Sequence, residues 1–203
     1  MIAIIDYDAG NIKSVEKAFQ YLGEDIECTR DSSVILSADK VILPGVGSFG
    51  DAMGKLKKYN LVGTIEEVCN MNKPFMGICL GLQLLFKDSD ESKGVPGLGL
   101  LDGSIITIPS DNGLKVPQIG WNELELINDG RLFKGFAEEE KAFVYFVHSY
   151  YLKAKDESIV KATTDYGVKI HASVESKNIF ACQFHPEKSG ETGLRILKNF
   201  IEI

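Results

Sequence analysis

The 203-residue sequence predicts an α/β protein with a mostly parallel central sheet flanked by helices and an antiparallel extension in its second half. Three features carry that expectation. Short β-branched apolar runs alternate with helix-spaced segments before Leu100, polar–apolar alternation takes over after it, and the chain closes on one more buried run and an amphipathic helix. Strands that alternate with helices need crossover connections and pair in parallel. Strands separated by Gly, Asn and Asp turn signals pair antiparallel.

In order, MIAIID reads as a strand, and after Gly10-Asn11 the apolar residues Val15, Ala18, Phe19 and Leu22 return at helical spacing. DIECT is a short strand, KVILP a fully buried one, VGTIEEVCNM a helix, and PFMGIC a second buried strand. The polar run KDSDESKGVPG predicts a mobile loop. SIITI, NELELI, AFVYFVHSYYL, SIVKATT and VKIHASVE form the β-rich half and extend the same sheet. IFACQFHPE is a buried strand with a polar end, and Leu194, Ile196, Leu197 and Phe200 give the helix that begins at Glu191 one apolar face. With no linker, repeat or low-complexity tract, residues 1–203 are expected to form a single domain.

A formal charge of -7, with basic residues scattered along the chain, argues against nucleic acid as a partner. Neither a basic leader nor an apolar stretch of bilayer length is present, so a soluble cytoplasmic protein is expected, with no membrane contact. Cys28, Cys69, Cys79 and Cys182 show no C-x-x-C spacing, which predicts reduced thiols and neither zinc nor dithiol chemistry. A cysteine without context is more often a small buried hydrophobe than a nucleophile.

Cys79 has a context. Gly77-Ile78-Cys79-Leu80-Gly81 joins an apolar strand to the helix-prone LQLLF and has the form of a nucleophile elbow with cysteine in place of serine. Glycines on either side let backbone segments approach closely, and a thiol at a helix N-terminus is favoured as thiolate. Glycines also occur at purely structural turns, so the string needs partners to mean anything. A thiolate that attacks an amide needs a group to carry the proton, and histidine is suited to it. His171 reads as a residue facing solvent or a cross-strand neighbour, and His148 as a hydrogen-bonded structural residue. His185 stands where a buried strand meets Pro186. If Pro186 holds the chain extended, Glu187 shares a face with His185 and can orient the imidazole.

The tetrahedral intermediate of amide hydrolysis needs N–H donors. The backbone of Leu80 can supply one, and the Pro44-Gly45-Val46-Gly47 loop, through Val46 and Gly47, can supply another or be only a turn. Gln83, four residues after Cys79, falls on the same helical face and can recognise a polar substrate end or simply be exposed. Ser149 and Tyr150 can bind a small zwitterion or serve structural hydrogen bonds.

Three segments, PGVGSFGDAM, GICLGLQLLF and FHPEKSGETGLRILKNF, resemble the triad-type, class I glutamine amidotransferases. With IIDYDAGNIKSVEKAF, IGWNEL and FVHSYY they are most similar to the branch that forms the glutaminase subunit of imidazole glycerol phosphate synthase. That resemblance implies a triad of Cys79 nucleophile, His185 acid/base and Glu187 orienter. It further implies an oxyanion hole from the PGVG backbone, L-glutamine contacts from Gly47, Gln83, Ser149 and Tyr150, and no metal or cofactor. The partner it implies is a (β/α)8-barrel cyclase that takes up the ammonia in histidine biosynthesis. Trp121 and Lys188 are candidate interface residues, with ordinary core or surface roles as the alternative. Three other readings stay open: a paralogous subunit feeding another synthase, a stand-alone γ-glutamyl hydrolase, and a catalytically silent binding subunit.

Overall fold

A computed structural model describes residues 1–110, 113–127, 130–137 and 139–203. In chain order the elements are β1 (Ile2–Ile5), α1 (Ile12–Tyr21), β2 (Ile26–Thr29), α2 (Ser32–Ser37), β3 (Lys40–Leu43), α3 (Phe49–Lys58), α4 (Leu61–Asn70), β4 (Phe75–Ile78), α5 (Leu80–Leu84), β5 (Asp88–Ser89), β6 (Gly103–Thr107), β7 (Gln118–Leu126), β8 (Ala142–His148), β9 (Tyr150–Ala154), β10 (Val160–Asp165), β11 (Lys169–Ser176), β12 (Ile179–Cys182) and α6 (Gly190–Glu202).

Nine strands form the main sheet in the order β2-β1-β3-β4-β12-β11-β10-β7-β8. Its first five are mutually parallel, and from β12 onward every pairing is antiparallel. The α/β expectation therefore holds, with two differences. SIITI and the end of AFVYFVHSYYL leave the main sheet, because β6 pairs with β9 on one side and β5 on the other in a separate three-stranded sheet. The apolar run that reads as one strand is broken at Ser149 into β8 and β9, one in each sheet.

Side chains on the parallel strands alternate between two buried layers, as the period of two requires. Ala3, Ile5, Val41, Leu43 and Phe75 face a layer that includes Ile35 of α2, Met53 of α3 and Ile65 of α4. Ile2, Ile4, Ile42, Met76 and Ile78 face α1 and α6 through Val15, Phe19, Leu197 and Phe200. Phe200 packs edge-on against Phe19 and Phe180, at 6.5 and 5.8 Å between ring centres. Each such ring contributes about 1.5–3 kcal/mol through burial, which fixes α6 and hence the turn before it.

Sequence periodicity left α2 and α3 unassigned. Both carry N-terminal signals: Asp31 accepts from the Ser33 N–H, and Ser48 from the Asp51 N–H at 3.3 Å. KDSDESKGVPG, expected to be mobile, holds β5 and a 3₁₀ turn that caps α3 from outside. Glu91 Oε2 accepts from the Phe49 N–H at 2.7 Å and Ser92 Oγ from the Gly50 N–H at 3.0 Å, satisfying donors that a helix start leaves unpaired.

The loops after β1, β3, β4 and β12 all leave the carboxyl edge of the parallel half. Open α/β sheets bind ligands at that edge, and the site described next is built from these loops, the start of α5, the β8–β9 junction, Glu91 and Pro117.

Candidate active site

Cys79 sits between β4 and α5 with φ 54° and ψ -107°, a conformation that L side chains rarely adopt. Its N–H donates to the Cys182 carbonyl at 2.7 Å, tying the turn to β12. Glycine is required on both sides. A Cβ on Gly81 would lie 1.9 Å from the Leu43 carbonyl oxygen, and one on Gly77 would lie 2.7 Å from that of Gly81. The elbow thus stacks three backbone segments closer than any side chain allows.

His185 is completely buried just past the end of β12, its N–H bound to the Tyr145 carbonyl at 3.0 Å. Its Nδ1 lies 2.8 Å from Glu187 Oε1. The two residues meet as expected, but the extended geometry that predicted it is wrong. Pro186–Lys188 form a 3₁₀ turn with proline at its first position, where a missing N–H costs nothing. Packing closes this turn: Ser189 Oγ donates to the His185 carbonyl at 2.6 Å and accepts from the Tyr145 N–H at 3.0 Å. Asn11, at the start of α1, donates from Nδ2 to the same Glu187 Oε1 at 2.5 Å.

The other imidazole nitrogen, Nε2, has no hydrogen bond of ordinary geometry. Cys79 nevertheless couples to the ring. Burial works against charge on His185, while hydrogen bonding and attraction from Cys79 and Glu187 outweigh it and raise the pKa from 6.5 to about 10. The arrangement favours an imidazolium between sulfur and carboxylate.

The sulfur also meets a buried amide. Gln183 Nε2 lies 3.7 Å from Cys79 Sγ, and Gln183 Oε1 accepts from Gln83 Nε2 at 3.1 Å. Gln83 Nε2 also donates to the Tyr150 carbonyl at 3.0 Å.

Cys79 opens onto a cavity of about 280 Å³ whose walls include Val46, Gly47, Leu80, Gln83, Ser149 and Tyr150, all singled out from the sequence, together with Glu91, Pro117, Val147 and His148. It suits one small polar molecule. A larger hollow of about 590 Å³ beside β7 shares no residue with this site and holds no cysteine or histidine. Among the described residues no cluster of His, Cys, Asp or Glu is arranged to hold a metal ion, and no helix is long and apolar enough to cross a membrane.

Of the expected oxyanion donors, one is already engaged. Leu80 N–H points to the Gly45 carbonyl at 3.3 Å, so it is engaged inside the protein. Gly45 fits tightly there, because a Cβ on it would meet the Tyr7 hydroxyl at 2.4 Å. Gly47 is glycine for conformation, at φ 100° with open space around it.

The remaining histidines are structural in placement. His148 is buried, with Nδ1 2.8 Å from the Tyr150 carbonyl and Nε2 2.9 Å from Gln118 Oε1, and burial lowers its pKa to about 4. His171 Nδ1 accepts from the Ala154 N–H at 3.1 Å, bridging β11 to β9. Lys188 is exposed one residue from Glu187. Trp121 is 54% exposed, edge-on to Tyr145 at 6.1 Å, and its neighbour on the same face of β7, Ile119, is 61% exposed.

Sequence reasoning missed Asn11, Glu91 and Gln183. Asn11 and Gln183 flank recognised motifs, at the end of the first loop and two residues before His185, but a lone amide announces no partner. Glu91 lay inside the segment expected to be mobile.

A family model described as glutamine amidotransferase class-I matches residues 3–203. The imidazole glycerol phosphate synthase subunit HisH of Methanothermobacter thermautotrophicus is 51% identical over 205 residues, covering 100% of this chain and 98% of its own. The subunit of the same name from Bacillus cereus is 50% identical, over 98% of this chain and 93% of its own. Among solved structures, a glutamine amidotransferase superposes with a TM-score of 0.78 at 18% identity, covering 100% and 98% of the two chains. The PurLQS structure from Thermotoga maritima gives 0.77 at 22%, covering 99% and 97%. With the elbow, the histidine–carboxylate pair and a match spanning nearly its whole length, this chain belongs to the class I glutamine amidotransferase family.

Proposed function

We propose that this chain is the glutaminase subunit of imidazole glycerol phosphate synthase, which hydrolyses L-glutamine to glutamate and passes ammonia to a separate (β/α)8-barrel cyclase in histidine biosynthesis. The single observation that carries the chemistry is the Cys79 elbow at the wall of a cavity sized for one amino acid, tied through its N–H to the end of the strand that leads into the Glu187-bonded His185. Identity of about half, over nearly the full length of the relatives named above, supports the pathway.

Glutamine enters with its side-chain amide over Cys79. The sulfur attacks the amide carbon, a C–S bond forms, and the carbonyl π pair moves to oxygen. As that pair returns, the C–N bond breaks and the nitrogen leaves as ammonia with the proton from His185 Nε2. Glu187 keeps Nδ1–H on its side of the ring, so Nε2 faces the reaction. Water then attacks the thioester, its proton goes to His185, and glutamate departs with the Cys79 sulfur restored as thiolate. Gln83 and Glu91 suit the α-ammonium group, since an amide oxygen and a carboxylate accept hydrogen bonds. Ser149 and the Tyr150 backbone lie on the same wall.

Two observations favour a coupled subunit over a stand-alone γ-glutamyl hydrolase. Leu80 N–H is occupied by Gly45, so the oxyanion hole needs a rearrangement before it can act. Also, β7 and β8 present Ile119, Trp121, Phe143, Tyr145 and Val147 on one outward face. Exposed apolar clusters of this kind serve as docking surfaces, and Pro117 and Val147 carry this one to the cavity wall. Because ammonia released into neutral water becomes ammonium and loses its nucleophilic lone pair, a docked synthase at this face suits the product. Lys188, exposed beside the triad, is the candidate cationic contact.

The test is glutamine consumption measured alone, with the barrel cyclase, and with the cyclase plus its substrate. Strong stimulation by the loaded partner is expected; equal rates in all three arms would overturn the coupled reading.

A further inference from the structure

We propose that Gln183 is a catalytic residue, and that its side-chain N–H donates to the Cys79 sulfur and stabilises it as thiolate before glutamine is attacked. The inference deepens the glutaminase reading above and rests on it. Hydrogen-bond polarity runs along one chain of atoms. A backbone carbonyl only accepts, so the group of Gln83 that lies 3.0 Å from the Tyr150 oxygen must be its NH₂. That same nitrogen lies 3.1 Å from one end of the Gln183 amide, which must therefore be oxygen. The other end of Gln183 is then NH₂, and it lies 3.7 Å from Cys79 Sγ, within reach of a hydrogen bond to the large sulfur atom. The Tyr150 carbonyl thus sets the orientation of two amides in series and decides that the sulfur meets a donor.

A donor serves a thiolate far better than a thiol, because hydrogen bonds to charged groups are the strong ones. Gln183 is completely buried, so no water competes for the contact, and its backbone is held by its own N–H to the Ala172 carbonyl at 2.8 Å. His185 couples to the same sulfur. The nucleophile is therefore charge-stabilised by two groups, a cation that must surrender its proton during the reaction and an amide that never does. When the water's proton has gone to His185 and the thioester C–S bond breaks, Gln183 Nε2 is in place, with the re-formed imidazolium, to receive the sulfur as thiolate.

The chain also fixes what Gln83 offers. Both hydrogens of Nε2 are spent inside the protein, so Gln83 meets substrate as an acceptor.

Two variants test the proposal. Gln183→Met keeps the volume and removes the donor, and Gln183→Glu keeps the shape but places a carboxylate against the sulfur. The readout is alkylation of Cys79 by iodoacetamide, followed on its own peptide by mass spectrometry so that the other three cysteines do not contribute. Glutamine kcat and KM are measured in parallel. At neutral pH, Gln183→Met is expected to slow alkylation and kcat by about tenfold, the low end for a hydrogen bond to a charged group, with KM within about twofold by the same reasoning. Gln183→Glu is expected to be slower still, and to recover as pH falls and its carboxyl gains a proton that it can donate. Folded variants alkylated at the wild-type rate would overturn the proposal, as would loss of the fold in both, which would make Gln183 structural. Should the wild type hydrolyse no glutamine with its partner present, the glutaminase reading fails instead, and the alkylation result stands apart from it.

Discussion

Replacing Cys79 by glycine should leave the protein more stable than replacing it by alanine, the reverse of the usual order. At an ordinary position glycine is the worse choice by about 0.5–1 kcal/mol, because the unfolded chain gains freedom. Cys79 is held at φ 54° and ψ -107°, and a non-glycine residue in such a region costs about 1–3 kcal/mol. Both substitutions remove the sulfur and its contact with Gln183, so those losses cancel in the comparison. Taking about 2 kcal/mol of relieved strain against about 1 kcal/mol of added chain entropy, Cys79→Gly should exceed Cys79→Ala by about 1 kcal/mol. For a chain of this size that is about 2–4 °C in Tm. Parallel urea and thermal unfolding of the two variants measures it. An alanine variant as stable as the glycine variant would show that the turn is relaxed, and that the elbow stores no strain at its apex.

Gly81→Ala places a methyl 1.9 Å from the Leu43 oxygen, so the elbow must move by about 1 Å and glutamine turnover should fall by about 100-fold. Gly54→Ala, exposed in α3 with open space around it, should instead stabilise the chain by about 0.5–1 kcal/mol, and steady-state kinetics and urea unfolding separate the two. Glu91→Gln should raise KM for glutamine by about 10- to 100-fold, the range for a lost charge-assisted hydrogen bond, while Cys79 alkylation stays at the wild-type rate; an unchanged KM would remove Glu91 from the substrate site. The His185 pKa is raised from 6.5 to about 10 against the opposition of burial, so its contribution to stability is complete below 6.5 and disappears as pH rises through about 10. Urea midpoints should therefore fall more steeply over that interval in wild type than in His185→Gln, and parallel declines would refute the assignment.

Legibility in the sequence followed the distance over which each feature is encoded. The elbow is local: Gly77, Cys79 and Gly81 lie within five residues, and each is explained by backbone contacts that only those residue types tolerate. His185 and Glu187 are equally local, although packing of Ser189 against Tyr145, rather than an extended chain, is what brings them together. Asn11 and Gln183 act across 176 and 104 positions, and no spacing rule reaches that far. The break at Ser149 was hidden for a related reason. Alternation in AFVYFVHSYYL fixes which side chains face inward but not which sheet each half joins, and only the pairing of β9 with β6 decides it. Glu91 was misplaced because polarity alone suggested a mobile loop, whereas its carboxylate is anchored on the first N–H of α3.

In the coupled reading proposed above, the engaged Leu80 N–H gives the apolar face of β7 and β8 a thermodynamic role. Releasing Leu80 N–H from Gly45 breaks one long backbone bond, worth about 0.5–1.5 kcal/mol net, whereas supplying an oxyanion with one more donor is worth about 10²–10³ in rate. The closed state is thus favoured by little and forfeits much, so a modest input of binding energy moves the balance. A partner docked over Ile119, Trp121 and Tyr145 is placed to supply it, because β8 runs on through Val147 and His148 into the cavity wall and holds His185 through the Tyr145 carbonyl. Coupling energies between sites are commonly about 1–3 kcal/mol, which is enough to exceed the closed bond. Because binding coupling is reciprocal, a transition-state analogue that needs the open hole must tighten the complex by the same factor that the partner tightens the analogue. A subunit pair whose affinity ignored such an analogue would exclude Leu80 N–H as the linkage between the two.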